Sequence, residues 1–232
     1  MIHPLKACTS LLYPEFCRHC GKRLDTERQF LCSECEKKLI YLENICQKCG
    51  SVLTSENCLV CADNHFYFDK ARSLFPFTKV IQSLIHDLKY EEITKVANLL
   101  CKYICNYMEK YQIFQDTDII APVPLHRVKK RSRGYNQSEK LSRQLAKNLK
   151  IKHLPDLLKR NRFTDTQTKL TRQQRYKNVA EAFILNTKYR IKRKNILLID
   201  DVFTTGSTVN SISKVLKNSQ VSKIYVLTIA RA

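Results

Sequence analysis

The sequence predicts an α/β fold: a parallel sheet flanked by helices, preceded by a small cysteine-rich module. Three observations predict it. After residue 65, short apolar runs alternate with stretches of helical periodicity, the pattern of strands and crossover helices with helices on both faces. One of those runs ends in two adjacent carboxylates and a tight Gly-containing loop. Eight of the eleven cysteines fall between Cys17 and Cys61, in four C-x-x-C pairs. Residues 1–64 therefore read as a zinc-ribbon type module and residues 65–232 as the α/β domain, a division that suits a chain of 232 residues.

The module carries an internal repeat. Cys17-Arg-His-Cys20-Gly21 is echoed by Cys46-Gln-Lys-Cys49-Gly50, and each copy is followed by a second pair, Cys32/Cys35 and Cys58/Cys61. Four thiolates in two pairs hold Zn²⁺ tetrahedrally, and the glycine after each leading pair permits a tight turn. The spacers of 11 and 8 residues fit two structural sites, with every coordination position filled by sulfur. Sequential pairing (first with second, third with fourth) and crossed pairing (first with third, second with fourth) both satisfy the spacing. Thioredoxin-like redox chemistry fits poorly, because the four pairs sit outside any βαβ pattern. Cys8, Cys101 and Cys105 are left over, the last two one helical turn apart and expected as buried thiols.

Beyond the module, Phe66 to Phe77 is aromatic-rich and broken by Pro76, which predicts a short strand or edge hairpin. Thr78 is an N-cap for a helix carrying Val80, Ile81, Leu84, Ile85 and Leu88 at helical spacing. A second helix is expected from about Glu92 to Lys110. Residues 118–124 form a short apolar strand ended by prolines, and Ser138 to Leu149 a further helix. Arg160 to Lys177 is polar, basic and without periodicity, and reads as a long mobile loop over about 160–177. Asn195 to Ile199 is a buried strand, continuous in apolar residues as parallel strands tend to be. A helix from about Ser207 to Asn218 and a strand from Lys223 to Ile229 complete the domain.

The strongest chemistry lies in Asp200-Asp201-Val202-Phe203-Thr204-Thr205-Gly206-Ser207-Thr208, directly after the Ile196–Ile199 run. Open α/β sheets bind ligands at the carboxyl ends of their strands. A helix N-terminus offers unpaired N–H groups and the positive end of a dipole, which favours phosphate. Thr204, Thr205, Ser207 and Thr208 add hydroxyl donors, while Gly206 is read as letting the backbone approach a ligand. Asp200 and Asp201 then lie one sugar-length away, placed to accept from ribose hydroxyls.

The segment from Ile196 to Thr208 resembles the signature with which type I phosphoribosyltransferases bind 5-phosphoribosyl-1-pyrophosphate (PRPP). Further segments narrow the resemblance: Leu88-Lys89-Tyr90, Pro122-Val-Pro-Leu125, Arg133-Gly-Tyr-Asn-Gln137, Gln167 with Arg175, and Asn178-Val-Ala-Glu-Ala-Phe183. Together they resemble the ComF family of competence proteins, which includes GntX-like proteins and is similar to the transferase domain of amidophosphoribosyltransferases. The resemblance spans nearly the whole chain, cysteines included. It implies that Asp200 and Asp201 take the ribose hydroxyls and that Thr204–Thr208 form the 5′-phosphate loop. It further implies that Pro124, Leu125, His126 and Arg127 belong to the pyrophosphate loop, and that Mg²⁺ arrives with PRPP, bridging ligand oxygens. The 160–177 segment resembles the loop that closes over such sites, where Arg162, Arg172 or Arg175 would neutralise departing pyrophosphate. His126 also reads as a surface loop residue. Arg133 to Gln137 also reads as structural, with Gly134 in a turn, Tyr135 packing, and Asn136 or Gln137 as a cap.

Charge bears on partners. The chain is +20 overall, and Pro122 to Asn195 holds 22 Lys/Arg against 4 Asp/Glu, a local excess of 18 positive charges. Such clustering favours polyanions, either a phosphorylated small ligand or nucleic acid. No run approaches 18 apolar residues, which excludes a transmembrane helix, and Met1 to Phe16 lacks the pattern of a secretory signal; a cytoplasmic protein with reduced thiols is expected. The expected function is PRPP binding in natural competence and DNA uptake, with transfer of a phosphoribosyl group to an unidentified acceptor. The alternatives are a salvage or purine-type transferase, or a non-catalytic PRPP sensor that binds single-stranded DNA. Other proteins of the competence machinery are the partners that the resemblance implies.

Overall fold

A computed structural model of the protein describes residues 15–24, 30–90, 93–161 and 182–232. In the cysteine-rich segment two single turns, α1 (Ser33–Glu36) and α2 (Leu59–Asp63), start directly after Cys32 and Cys58. The remainder runs β1 (Lys70–Pro76), α3 (Lys79–Tyr90), α4 (Ile93–Lys110), β2 (Ile119–Pro122), α5 (Arg127–Arg133) and α6 (Gln137–Leu149). Then follow β3 (Lys152–His153), β4 (Leu158–Arg160), β5 (Phe183–Leu185), β6 (Asn195–Phe203), α7 (Ser207–Asn218) and β7 (Lys223–Arg231).

Five strands form one parallel sheet in the order β1-β7-β6-β2-β3. Ile196 of β6 sits opposite Ile119 on one side and Ile224 on the other, so the most apolar strands occupy the centre. Alternate residues of these strands feed two separate cores. Leu197, Ile199 and Leu227 pack with α3, α4 and α6, while Ile196, Leu198 and Val226 pack with Val209, Ile212 and Leu216 of α7. The sheet is therefore covered on both faces, as its continuous apolar strands require.

Local chemistry sets the helix ends. The Thr78 hydroxyl accepts from the Ile81 N–H at 3.5 Å to start α3, and the Asn136 side chain accepts from Ser138 N–H to start α6. Gly134 closes α5 in the left-handed region at φ 77°.

Within the 66–77 segment the strand alternative holds: Lys70–Pro76 is a single edge strand parallel to β7, whose residues come from the far end of the chain. The structure departs from the sequence reading in three places. β6 does not stop at Ile199 but continues through both carboxylates to Phe203, since β7 also runs on, to Arg231. Arg160 belongs to β4, paired antiparallel with Phe183, and residues 162–177 of the expected mobile loop lie outside the described residues. Helix α5 and strands β3 to β5 were not anticipated; each is too short to show a periodicity.

Candidate functional site

The carboxyl ends of β2 and β6 lie side by side, and the start of α6 is tied to both. Asn136 donates from Nδ2 to the Val123 carbonyl at 3.0 Å, and the Ser138 hydroxyl donates to Asp200 Oδ1 at 2.8 Å. The loop from Pro122 to Arg127, the Arg133–Gln137 segment and the acidic pair thus converge on one cleft.

Within it, Asp200 is half-buried, and Oδ1 also accepts from the Asp201 N–H at 3.0 Å. Desolvation and the adjacent Asp201 carboxylate push the Asp200 carboxyl above the usual carboxylate range, with the Ser138 hydroxyl working the other way. Asp201 is 7% exposed. Its Oδ1 accepts from the Val202 N–H, and its Oδ2 faces Lys89 Nζ at 2.6 Å, a close charge contact without hydrogen-bond alignment. Arg160, at the end of β4, is near enough to Asp200 to feel its charge.

The loop that follows is open to solvent: Thr204, Thr205 and Ser207 are exposed and Thr208 is half-buried. Thr205 Oγ1 lies 3.1 Å from Ser207 Oγ, an ST-type turn into α7. Gly206 is the residue before the helix, at φ +74°. A Cβ there would meet the Phe203 ring at 2.5 Å, so glycine is required both by the backbone conformation and by the packing of that ring. Phe203 itself is buried beneath the Arg231 guanidinium, 4.4 Å from its ring centroid, and forms the floor of the loop. Val202 is half-buried. On α7, Asn210 accepts from Tyr67 N–H and donates to His65 O, anchoring the helix below its first turn.

On the β2 side, Pro124 and Leu125 are half-buried and Arg127 is exposed. His126 is not a surface residue: it is buried, and its Nδ1 accepts from Val128 N–H to cap α5. The Arg133–Gln137 segment does structural work. Arg133 bonds Gln137 and the Tyr90 hydroxyl, and the Tyr135 hydroxyl donates to the Leu88 carbonyl at 3.1 Å. Sequence reasoning missed Ser138 and Lys89 as site residues. The signal was available, since both sit in or beside the Leu88–Tyr90 and Arg133–Gln137 segments. Arg162, Arg172 and Arg175 lie outside the described residues, as do Gln167 and Cys8.

The family described as Double zinc ribbon domain matches residues 8–65, and the family described as Phosphoribosyl transferase domain matches residues 131–232. Competence protein F of Haemophilus influenzae is 33% identical over 223 residues, covering 93% of this chain and 96% of that protein. The chain belongs to the competence protein F family. DNA utilization protein YhgH of Escherichia coli is 26% identical over 226 residues, covering 95% of this chain and 99% of that protein. A hypoxanthine phosphoribosyltransferase of Staphylococcus aureus is similar in structure over 57% of this chain and 61% of that one, with TM-score 0.38 and 18% identity.

In this competence protein F homologue the cysteines form two clusters, Cys17/Cys20/Cys32/Cys35 and Cys46/Cys49/Cys58/Cys61, each with all sulfurs within 4.8 Å of one another. The pairing is therefore sequential. A tetrahedron with Zn–S near 2.3 Å requires sulfurs about 3.8 Å apart. Cys20–Cys32 and Cys46–Cys61 lie at 3.7 Å and Cys49–Cys58 at 3.5 Å, so the donor sets fit zinc and suit structural sites. Burial raises the Cys17 thiol, yet backbone N–H groups of Cys20, Cys32 and His19 outweigh it and bring it down to about 6, whereas burial and the neighbouring thiols push Cys35 of the same cluster up to about 12. Cys101 is buried and Cys105 half-buried; burial pushes Cys101 up to about 12, marking an inert thiol. No helix among the described residues is long and apolar enough to cross a membrane.

Proposed function

We propose that this protein binds PRPP with its Mg²⁺ at the carboxyl ends of β2 and β6, in the service of DNA uptake. In this reading residues 1–64 form the zinc module and residues 65–232 the ligand-binding domain. One observation carries it: a half-exposed carboxylate, Asp200, is fixed by Ser138 beside an exposed run of hydroxyls at the start of a twelve-residue helix. A ribose bearing a 5′-phosphate asks for that pair of features, acceptors for its hydroxyls and N–H donors for its terminal anion. Asp200 and Asp201 take the sugar, and Thr204, Thr205, Ser207 and Thr208 the 5′-phosphate. The Pro124–Arg127 loop takes the pyrophosphate, with Arg162, Arg172 and Arg175 neutralising its charge. Mg²⁺ would arrive with PRPP and would supply positive charge where the pyrophosphate carries negative charge. Catalysis, on this reading, is transfer of the phosphoribosyl group to a separate acceptor.

Calorimetry with PRPP and Mg²⁺ tests the site. Binding is expected for the wild type and none for the Asp200→Asn, Asp201→Asn double variant; unchanged affinity in that variant refutes the assignment. Pyrophosphate release over a panel of acceptors, DNA included, separates a transferase from a sensor.

A second reading adds single-stranded DNA. The sequence of α5 carries five Lys/Arg in seven residues, and the exposed Tyr90 ring lies 5.2 Å from the Arg133 guanidinium. Cations tracking a backbone beside an aromatic platform suit a single strand. Its affinity should fall steeply as salt rises. A flat salt response removes DNA from the reading.

A further inference from the structure

The two neighbouring carboxylates of the acidic pair are held very differently. Asp200 is half-exposed, and only its Oδ1 accepts hydrogen bonds among the described residues. Asp201 is buried and engaged at both oxygens, one by Val202 N–H and the other by Lys89 at 2.6 Å. The side chain of Lys89 is itself only 23% exposed, so the contact is largely shielded from water.

The end of α3 that delivers Lys89 is fastened on every side. Leu88 is fully buried and its carbonyl accepts from Tyr135. Tyr90 is bonded by Arg133, and Asp87 faces Arg18 of the first zinc ribbon at 3.8 Å. A lysine tethered at three adjacent positions, with its ammonium on a buried carboxylate, is poorly explained as a solvated surface charge.

Resting on the PRPP reading, we propose that Lys89 is a positioning residue that sets the charge of the acidic pair. Its ammonium supplies the counter-charge of Asp201, so that Asp200, which Lys89 does not pair, is the carboxyl of the two left to face the ligand. Two adjacent carboxylates without a cation would attract a bare divalent ion. With a fixed ammonium at 2.6 Å the pair carries one net negative charge, suited to accept from a sugar diol while the divalent ion stays on the ligand's own phosphates. The Leu88-Lys89-Tyr90 segment thereby acquires a function: it carries that cation and locks it in place.

The test is calorimetry with PRPP and Mg²⁺ on the full chain, with thermal melts to certify folding. Lys89→Met keeps the aliphatic stem and removes the charge; PRPP affinity should fall roughly tenfold or more, since the buried Asp201 charge is left uncompensated. Lys89→Arg keeps the charge and should stay within about threefold of wild type. The decisive variant is Lys89→Met with Asp201→Asn, which restores one net negative charge; its loss should be smaller than the product of the two single losses. That double variant also removes the buried unpaired charge, so it keeps the proposal testable if thermal melts find Lys89→Met alone unfolded.

Wild-type affinity in Lys89→Met, or a double variant whose losses multiply, overturns the role of Lys89 while leaving the PRPP site standing if Asp200→Asn still abolishes binding. Wild-type protein that takes up no PRPP overturns both.

Discussion

The two zinc ribbons share a Cys-x-x-Cys-Gly turn, but they grip opposite faces of the sheet by different physical means. The first packs Cys17, Leu24, Phe30 and Cys35 into the core shared with α3 and α4. Its polar ties to the helices include Arg18 to Asp87 at 3.8 Å, His19 to Ser83 at 3.3 Å and the Tyr103 hydroxyl donating to Glu36 at 2.7 Å, assisted by Tyr41 stacked on Phe75. The second packs Cys46 and Cys49 against Phe66, Phe68 and Ala71 on the α7 side. It is clamped by two guanidinium groups, one buried (Arg72) and one half-buried (Arg231). Arg72 donates to the carbonyls of Cys46, Gln47 and Ala71, and Arg231 donates to Cys49 O and Ser51 Oγ. One local motif thus serves as a surface dock in one copy and as part of the sheet's edge in the other.

Metal loss should expose that asymmetry most strongly, because a structural zinc site contributes on the order of 10 kcal/mol to folding. Cys49 is fully buried while Cys20 is exposed. Cys49→Ser is therefore expected to lower the thermal midpoint far more than Cys20→Ser, whose site can take water in the vacant position. Zinc content by mass spectrometry and melting curves on both variants check this, and equal losses would break the comparison. Next in size comes Arg72→Met. It deletes four hydrogen bonds from a cation and strands backbone carbonyls, for about 3 kcal/mol, read as a shift in urea midpoint.

The sequence revealed these ribbons unevenly. Cysteine spacing showed eight ligands and two sites, because each ligand pair is a local feature. It left the pairing open, since which pairs meet depends on the chain path between them. The central strands and long helices were legible for the same reason: Ile196–Ile199 and the α3 periodicity record burial within a few residues. The partners of the acidic pair were not. Lys89 reaches Asp201 from more than a hundred residues away, and Ser138 reaches Asp200 across 62 positions, so only the tertiary fold unites them. His126 was misread as a surface residue because a seven-residue helix gives no periodic signal to cap.

The paired glycines sharpen the contrast further. Both adopt φ +72°, so alanine costs about 1–2 kcal/mol at either from the left-handed backbone alone. At Gly21 a Cβ meets nothing within 4 Å, whereas at Gly50 it would sit 2.7 Å from the Ala71 carbonyl oxygen. That oxygen is backbone of β1 and bonded by Arg72, so it cannot give way cheaply. Gly50→Ala should therefore exceed Gly21→Ala by about 1 kcal/mol or more in parallel denaturation curves.

Arg18→Ala is the smallest expected effect. The Arg18 side chain is 31% exposed and its contact with Asp87 is long, so solvent screens the pair and its loss should cost about 0–1 kcal/mol. Since Arg18 and Lys89 lie at the two ends of one contact chain through α3, the variant also asks whether the first ribbon steadies the ligand site. A stability loss approaching that of Arg72→Met would mean the ribbons are held alike. A small stability loss accompanied by weaker PRPP binding would instead mark the first ribbon as a support for Lys89, the role for which its looser, surface-borne docking suits it.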